Sequence, residues 1–90
     1  MVKGTTETGF AFSVNEKKLN DAEFLELFAR TQKADNLAVF ELIEATLGAE
    51  QKKALYEHCR DKDGIVPVDK LSAEIGEIFK AMAEHPKTKN

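Results

Sequence analysis

The chain has 90 residues, of which 42% are hydrophobic and 32% charged, and its net charge is −3. This length allows one small core, and the composition is that of an ordinary soluble globular domain. The absence of a basic excess argues against nucleic-acid binding, which depends on clustered Lys and Arg, and the two tail lysines, Lys87 and Lys89, are too few for a polybasic membrane patch.

The first predicted element is a β-hairpin. In FAFSV, residues 10–14, the side chains of Phe10, Phe12 and Val14 fall on one face of an extended chain. This alternation of aromatic and β-branched residues predicts a half-buried strand. Residues 2–7 are its candidate partner, with a turn through residues 7–9. Because an isolated hairpin is only marginally stable in water, the hairpin is expected to pack on helices.

Two helices are predicted next. The segment NDAE at 20–23 has the residue types of a helix start, with Asn20 as the N-cap, and the helix runs to about Lys33. A second helix follows the break at 33–36. Its apolar residues recur at helical spacing as far as Leu47, and Gly48 follows as a C-cap in the left-handed region.

The last two helices flank a corner at residues 59–70. A third helix is predicted over about 49–61, Gly64 ends it with a positive φ, and Pro67 fits the first turn of a fourth helix. The fold class is therefore mainly α, α+β at the N-terminus: a strand or hairpin followed by about four short helices. Residues 1–85 form one domain, and residues 86–90 are expected to form a flexible C-terminal tail.

The corner sequence CRDKDGIVPVDK has the spacing of half an EF-hand loop. An EF-hand requires oxygen ligands at loop positions 1, 3 and 5, glycine at 6 and a bidentate Glu at 12. With Gly64 at position 6, Asp61 and Asp63 fit, but Cys59 occupies position 1 and Lys70 position 12. A thiol and an ammonium are unsuitable at these positions, so we expect no calcium and interpret the segment as a helix–loop–helix corner.

No catalytic or cofactor motif stands out elsewhere. His58 and Cys59 are neighbours in a predicted helix and point about 100° apart, and no second cysteine completes a zinc set. Cys59 is interpreted as a small core residue and His58 as a surface residue. The glycines form no phosphate loop. We expect no enzyme activity, no cofactor and no metal; a small enzyme or thiol-dependent regulator that uses Cys59 is an alternative hypothesis.

The cysteine content and the hydropathy of the chain indicate the cellular compartment in which it is expected. A lone cysteine cannot form an internal disulfide, which favours a reducing compartment. No run of about 18 apolar residues is present that could cross a membrane, and MVKGTTETGF lacks the apolar stretch of a signal peptide. We therefore expect a protein of the cytoplasm.

Two segments carry a family resemblance. GFAFSVNEKKLNDAEFLELFA (9–29) and LGAEQKKALYEHCRDKDGIVPVDKLSAEIGEIF (47–79) resemble the small tail-module proteins of long-tailed phages and prophages of Gram-positive bacteria, in particular tail assembly chaperones. The shared pattern joins a Gly-Phe strand, LG-x-EQ-K-x-ALY-x-H, DG-x-VP-V and a final amphipathic helix.

The resemblance implies a non-enzymatic role in the host cytoplasm. Such chaperones coat the apolar tape-measure protein before the tail tube polymerises, and the tube protein is a second candidate partner. Helix faces are the candidate partner-binding sites, and self-association is an alternative use of them. A second hypothesis is a degenerate EF-hand-like interaction module with an unknown protein partner. The candidate partner-binding residues are Phe24, Leu27, Phe28, Phe40, Leu71, Ile75, Ile78, Phe79 and Met82.

Overall fold

A computed structural model describes residues 1–33 and 37–84 of the chain. In chain order its elements are β1 (Val2–Thr5), β2 (Ala11–Val14), a 3-10 helix (Glu16–Asn20), α1 (Ala22–Thr31), α2 (Ala38–Cys59) and α3 (Val68–Glu84). The described residues are thus mainly helical, with an N-terminal two-stranded sheet, as the sequence predicts. The predicted tail at 86–90 lies outside the described residues.

The hairpin forms within the chain. Strands β1 and β2 are antiparallel, and their register places Val2 opposite Val14 and Gly4 opposite Phe12. The turn is closed by the N–H of Thr6, which donates to the carbonyl of Phe10 over 2.9 Å, and by the N–H of Gly9, which donates to the carbonyl of Thr6 over 2.9 Å. The hairpin prediction is confirmed.

The number of helices differs from the prediction. The second and third predicted helices form one element, α2, which bends at Gly48, where φ is +83° and ψ is 165°. This backbone conformation is accessible essentially only to glycine. The positive φ predicted for Gly48 is therefore correct, but the residue bends a helix instead of ending it. The described chain has three α-helices where about four were predicted.

The start of α1 is shifted by one residue. Asn20 is the last residue of the 3-10 helix, whose own cap is Asn15. The cap of α1 is Asp21, whose Oδ1 accepts a hydrogen bond of 3.2 Å from the N–H of Glu23. The prediction of Asn20 is wrong because the 3-10 helix, which the sequence pattern does not reveal, already includes that residue.

One apolar core joins the hairpin to α2 and α3. The inner face of the hairpin packs on buried residues from both halves of α2 and on one stripe of α3. Helix α1 packs mainly on α2 and buries only one side chain fully, Phe24. The residues of the core are Val2, Phe10, Phe12, Val14, Ile43, Leu47, Leu55, Cys59, Leu71, Ile75, Ile78 and Met82.

Candidate functional site

The candidate partner-binding residues divide by burial. Five of them are at most 4% exposed: Phe24, Leu71, Ile75, Ile78 and Met82. The α3 residues of this group pack against the hairpin and α2 and form the core, so their stripe is not a free binding surface. The remaining four candidates, Leu27, Phe28, Phe40 and Phe79, are half-buried and keep part of their side chains in contact with solvent.

Aromatic contacts join α1 to α3. The ring of Phe79 lies 5.9 Å from that of Phe24 and 5.6 Å from that of Phe28, with interplanar angles of 85° and 82°. These are edge-to-face contacts, a favourable arrangement for aromatic pairs. Phe24 fills the interior position, whereas Phe28 and Phe79 lie at the rim and remain partly exposed.

An apolar surface extends outward from this rim. Leu25, which is 45% exposed, precedes Phe28 by three residues on α1, and residues at that spacing are neighbours on a helix surface. We call Leu25, Phe28 and Phe79 the α1 face. Leu25 was not among the predicted binding residues. The sequence feature that could have identified it is its three-residue spacing from Phe28. Leu37, at the start of α2, is 72% exposed.

A polar cluster joins the hairpin turn to α2 and α3. The hydroxyl of Thr8 donates to Oε2 of Glu74 over 2.6 Å and lies 2.9 Å from Nε2 of His58. Because the single hydroxyl proton goes to Glu74, Nε2 of His58 must be the donor to Thr8. In a nucleophilic triad the imidazole stands between hydroxyl and carboxylate. Here the Thr8 hydroxyl lies between the imidazole and the carboxylate. This order anchors the hairpin turn, and because His58 donates to the hydroxyl it does not act as a base towards it.

Cys59 and Glu74 line the same cleft, together with Arg60 and Lys70. Burial raises the pKa of the Cys59 thiol, the nearby Glu74 carboxylate raises it further, and Lys70 opposes the rise. A thiol with a raised pKa stays protonated near neutral pH and is a poor nucleophile. Cys59 is buried in the core, as its interpretation as a small core residue requires.

The corner between α2 and α3 is stabilised by its own side chains. Oδ1 of Asp61 accepts from the N–H groups of Asp63, over 2.9 Å, and Ile65, over 3.0 Å. Arg60 donates to Oε2 of Glu57 and to the carbonyl of Gly64. Asp61 therefore acts as an internal cap of the loop, and Asp63 is exposed. Within residues 1–33 and 37–84, no group of three His, Cys, Asp or Glu side chains is arranged to hold a metal ion.

The motif LG-x-EQ has a structural explanation that the sequence pattern did not provide. The bend at Gly48 is followed by Gln51, whose side-chain amide reaches the outer edge of β2. Oε1 of Gln51 accepts from the N–H of Ser13, and Nε2 donates to the carbonyls of Ser13 and Leu47, each over 2.8 Å. Gln51 thus fastens the hairpin to α2 and occupies the edge of β2 at Ser13.

Among the helices of the described chain, none combines the length and apolar character that crossing a membrane requires. Protein-family models, curated proteins and solved structures were each compared with this chain, and none of them matches it.

Proposed function

We propose that this protein is a non-enzymatic assembly chaperone of the phage-tail type, which binds apolar helical segments of a tape-measure protein through its α1 face. The proposal combines two independent supports. One is the resemblance carried by residues 9–29 and 47–79. The other is the exposed apolar surface formed by Leu25, Phe28 and Phe79.

The observation that carries the proposal is the position of α1. This helix has ten residues and fully buries only Phe24, so most of its apolar side chains lie at or near the surface. An amphipathic client helix laid against Leu25 and Phe28 would cover them and extend the edge-to-face contact with Phe79. Aromatic residues at the rim of a core supply large contact area to a partner at low conformational cost.

The charged residues of α1 are compatible with reversible binding of the client. Glu26 and Arg30 are exposed beside the apolar residues, and Arg30 pairs with Glu41 of α2 over 3.5 Å. The net charge of −3 keeps the free protein soluble. A client bound mainly through a few side chains at the rim can later be displaced when the tail tube assembles around it.

The test is co-expression with the tape-measure protein encoded in the same tail gene cluster. We expect the client to remain soluble and to co-elute with the chaperone in size-exclusion chromatography with light scattering. The double variant Leu25→Ser, Phe28→Ser should lose co-elution, because it removes two apolar members of the α1 face.

A matched control distinguishes this surface from exposed apolar residues in general. Ile65, in the α2–α3 corner, is 59% exposed and Val68 is 51% exposed. The double variant Ile65→Ser, Val68→Ser removes comparable apolar surface elsewhere and should bind the client like the parent. If the client precipitates whether or not the parent protein is present, the proposed function is wrong.

A further inference from the structure

The two edges of the hairpin sheet differ. Antiparallel strands alternate between residues bonded to the partner strand and residues whose backbone groups point outward. Thr6 bonds to Phe10, so the alternation directs the backbone groups of Gly4 and Val2 towards β2 and those of Lys3 and Thr5 away from it. No described residue bonds to the outward N–H or carbonyl groups of Lys3 or Thr5, so within residues 1–33 and 37–84 the edge of β1 is open.

The opposite edge is occupied at Ser13. There the outward N–H and carbonyl of Ser13 both bond to the amide of Gln51. The side-chain amide reproduces the donor and acceptor of another strand at this position. The β2 edge is therefore satisfied at Ser13, and only Ala11 on that strand has outward backbone groups without a partner among the described residues, whereas the β1 edge presents two donors and two acceptors. Open edges are the surfaces to which another strand can add.

The open edge is complementary to itself. If two copies of β1 meet antiparallel with Gly4 opposite Gly4, Lys3 of each copy lies opposite Thr5 of the other. In this register all the outward groups of Lys3 and Thr5 are paired, which gives four hydrogen bonds between copies. The alternative register with Lys3 opposite Lys3 places like charges face to face and is disfavoured. Charge therefore excludes the register centred on Lys3, and the absence of a side chain at Gly4 favours the register centred on Gly4.

Gly4 suits the centre of such a contact. The ring of Phe12 covers the inner face of Gly4, and a Cβ atom at this position would approach the ring to 2.9 Å. Gly4 sits at a site that is not hydrogen-bonded to the second copy, where opposed Cα atoms approach to about 4.5 Å. No side chain at the centre stands in the way of this approach.

Helix α3 provides complementary charge beside the edge. A groove runs between Gly4 and Thr5 of β1 and residues Glu77, Lys80, Ala81 and Glu84 of α3. A two-fold axis through Gly4, perpendicular to the sheet, places both α3 helices on the same side of it and antiparallel. Lys80 lies between Glu77 and Glu84 in sequence, and Oε2 of Glu77 already accepts from the N–H of Glu7 over 2.8 Å. An antiparallel copy therefore brings the Glu84 carboxylate towards Lys80, and Ala81 leaves room between the helices.

From these observations we infer that the open edge of β1 is a self-association surface. Two copies of the chain join their hairpins into one four-stranded antiparallel sheet, with Lys3 opposite Thr5 and the two α3 helices side by side beneath it. This interface is distinct from the α1 face, and it does not rest on the proposed chaperone function.

The first test changes the backbone donor and leaves the hairpin ladder intact. Thr5→Pro removes an N–H that points away from β2, and proline is tolerated on edge strands. Sedimentation velocity over a range of protein concentrations should show a monomer–dimer equilibrium for the parent. Thr5→Pro should weaken it by roughly tenfold or more, since each copy loses one of its two edge donors. Thr5→Val keeps the N–H and should dimerise like the parent.

The second test identifies the register. In a sample that mixes isotopically labelled and unlabelled chains, NMR should detect contact between the Gly4 Hα atoms of different copies. Raising the protein concentration should slow the exchange of the Lys3 and Thr5 amides more than that of Gly4, which is already bonded within the hairpin. A parent protein that stays monomeric, or amides of Lys3 and Thr5 that exchange equally fast at all concentrations, would overturn the inference. Lys3 would then serve only to protect the edge.

Discussion

The side-chain amide of Gln51 exchanges two hydrogen bonds with the backbone of Ser13, 38 residues away in the chain, and each is 2.8 Å long. The second N–H of the amide reaches the carbonyl of Leu47 over 2.8 Å. One side chain thus joins the outer edge of β2 to the bend of α2 at Gly48. This relationship fixes the hairpin on the helices and occupies the β2 edge at Ser13, whereas no described residue bonds to the outward backbone groups of β1.

Replacing Gln51 tests this connection. Gln51→Met keeps the length of the side chain but removes all three hydrogen bonds, so the half-buried N–H and carbonyl of Ser13 lose their partners. We expect the free energy of unfolding to fall by about 1–3 kcal/mol. Urea denaturation measures the loss, and the Ser13 amide should exchange faster. The exposed neighbour Lys53 provides a control, because Lys53→Met should change stability by less than about 0.5 kcal/mol.

Two glycines in helices should respond to alanine in opposite directions. Gly48 has φ of +83° and ψ of 165°, a conformation that strains any side-chain-bearing residue, so Gly48→Ala should cost about 1–3 kcal/mol. Gly76 lies within α3, and a Cβ atom there would meet nothing within 4 Å. Gly76→Ala should stabilise the protein by about 0.5–1 kcal/mol. Thermal unfolding of the two variants measures the direction of each stability change. A stabilising effect of Gly48→Ala would contradict the observed bend.

The anchoring role of Thr8 predicts a rescue. Thr8→Val leaves Oε2 of the buried Glu74 without its hydroxyl donor, while Oε1 already lacks a hydrogen-bond partner among the described residues. Stability should fall by about 1–3 kcal/mol. Adding Glu74→Leu removes the unpartnered carboxylate and should recover most of the loss, since an apolar replacement of both partners is nearly neutral. If the double variant were less stable than Thr8→Val, the carboxylate would have a role beyond this contact.

The pair formed by Glu57 and Arg60 predicts a pH response. The hydrogen bond from Arg60, aided by its charge, lowers the pKa of Glu57 below its ordinary value. A carboxyl group whose pKa is lower when folded stabilises the protein above its unfolded pKa, and the contribution disappears as pH falls through the folded pKa. NMR titration should show this lowered pKa in the parent. In Arg60→Gln the pKa of Glu57 should rise towards the ordinary value, and an unchanged pKa would contradict the assigned cause.

Local patterns in the sequence predicted much of the fold. The alternation of Phe10, Phe12 and Val14 identified the hairpin because a strand with one buried face has a period of two. The stripe of α3 was equally clear, since it repeats at helical spacing. Gly48 was recognised as a residue of positive φ, but whether a helix ends or bends at such a residue depends on the tertiary contacts of the next turn, where Gln51 holds the bend.

The candidate sites depend more on tertiary contacts. Leu71 and Leu25 are both apolar helix residues, and only packing decides that Leu71 is in the core and Leu25 at the surface. Gln51 has the appearance of an ordinary polar helix residue, so its contact with Ser13 could not be anticipated. The open edge of β1 likewise results from the register and from the position of α2, neither of which is encoded in a short pattern.

The most direct measurement of the proposed function is photo-crosslinking from the α1 face during tail assembly. A photoreactive side chain placed at Leu25 should form a covalent bond to the tape-measure protein before the tail tube is complete, and the crosslink should disappear from finished tails. The same group placed at Ile65, which is similarly exposed, should not crosslink to the client. Equal crosslinking from both positions, or none from position 25 while the client remains soluble, would contradict binding through the α1 face.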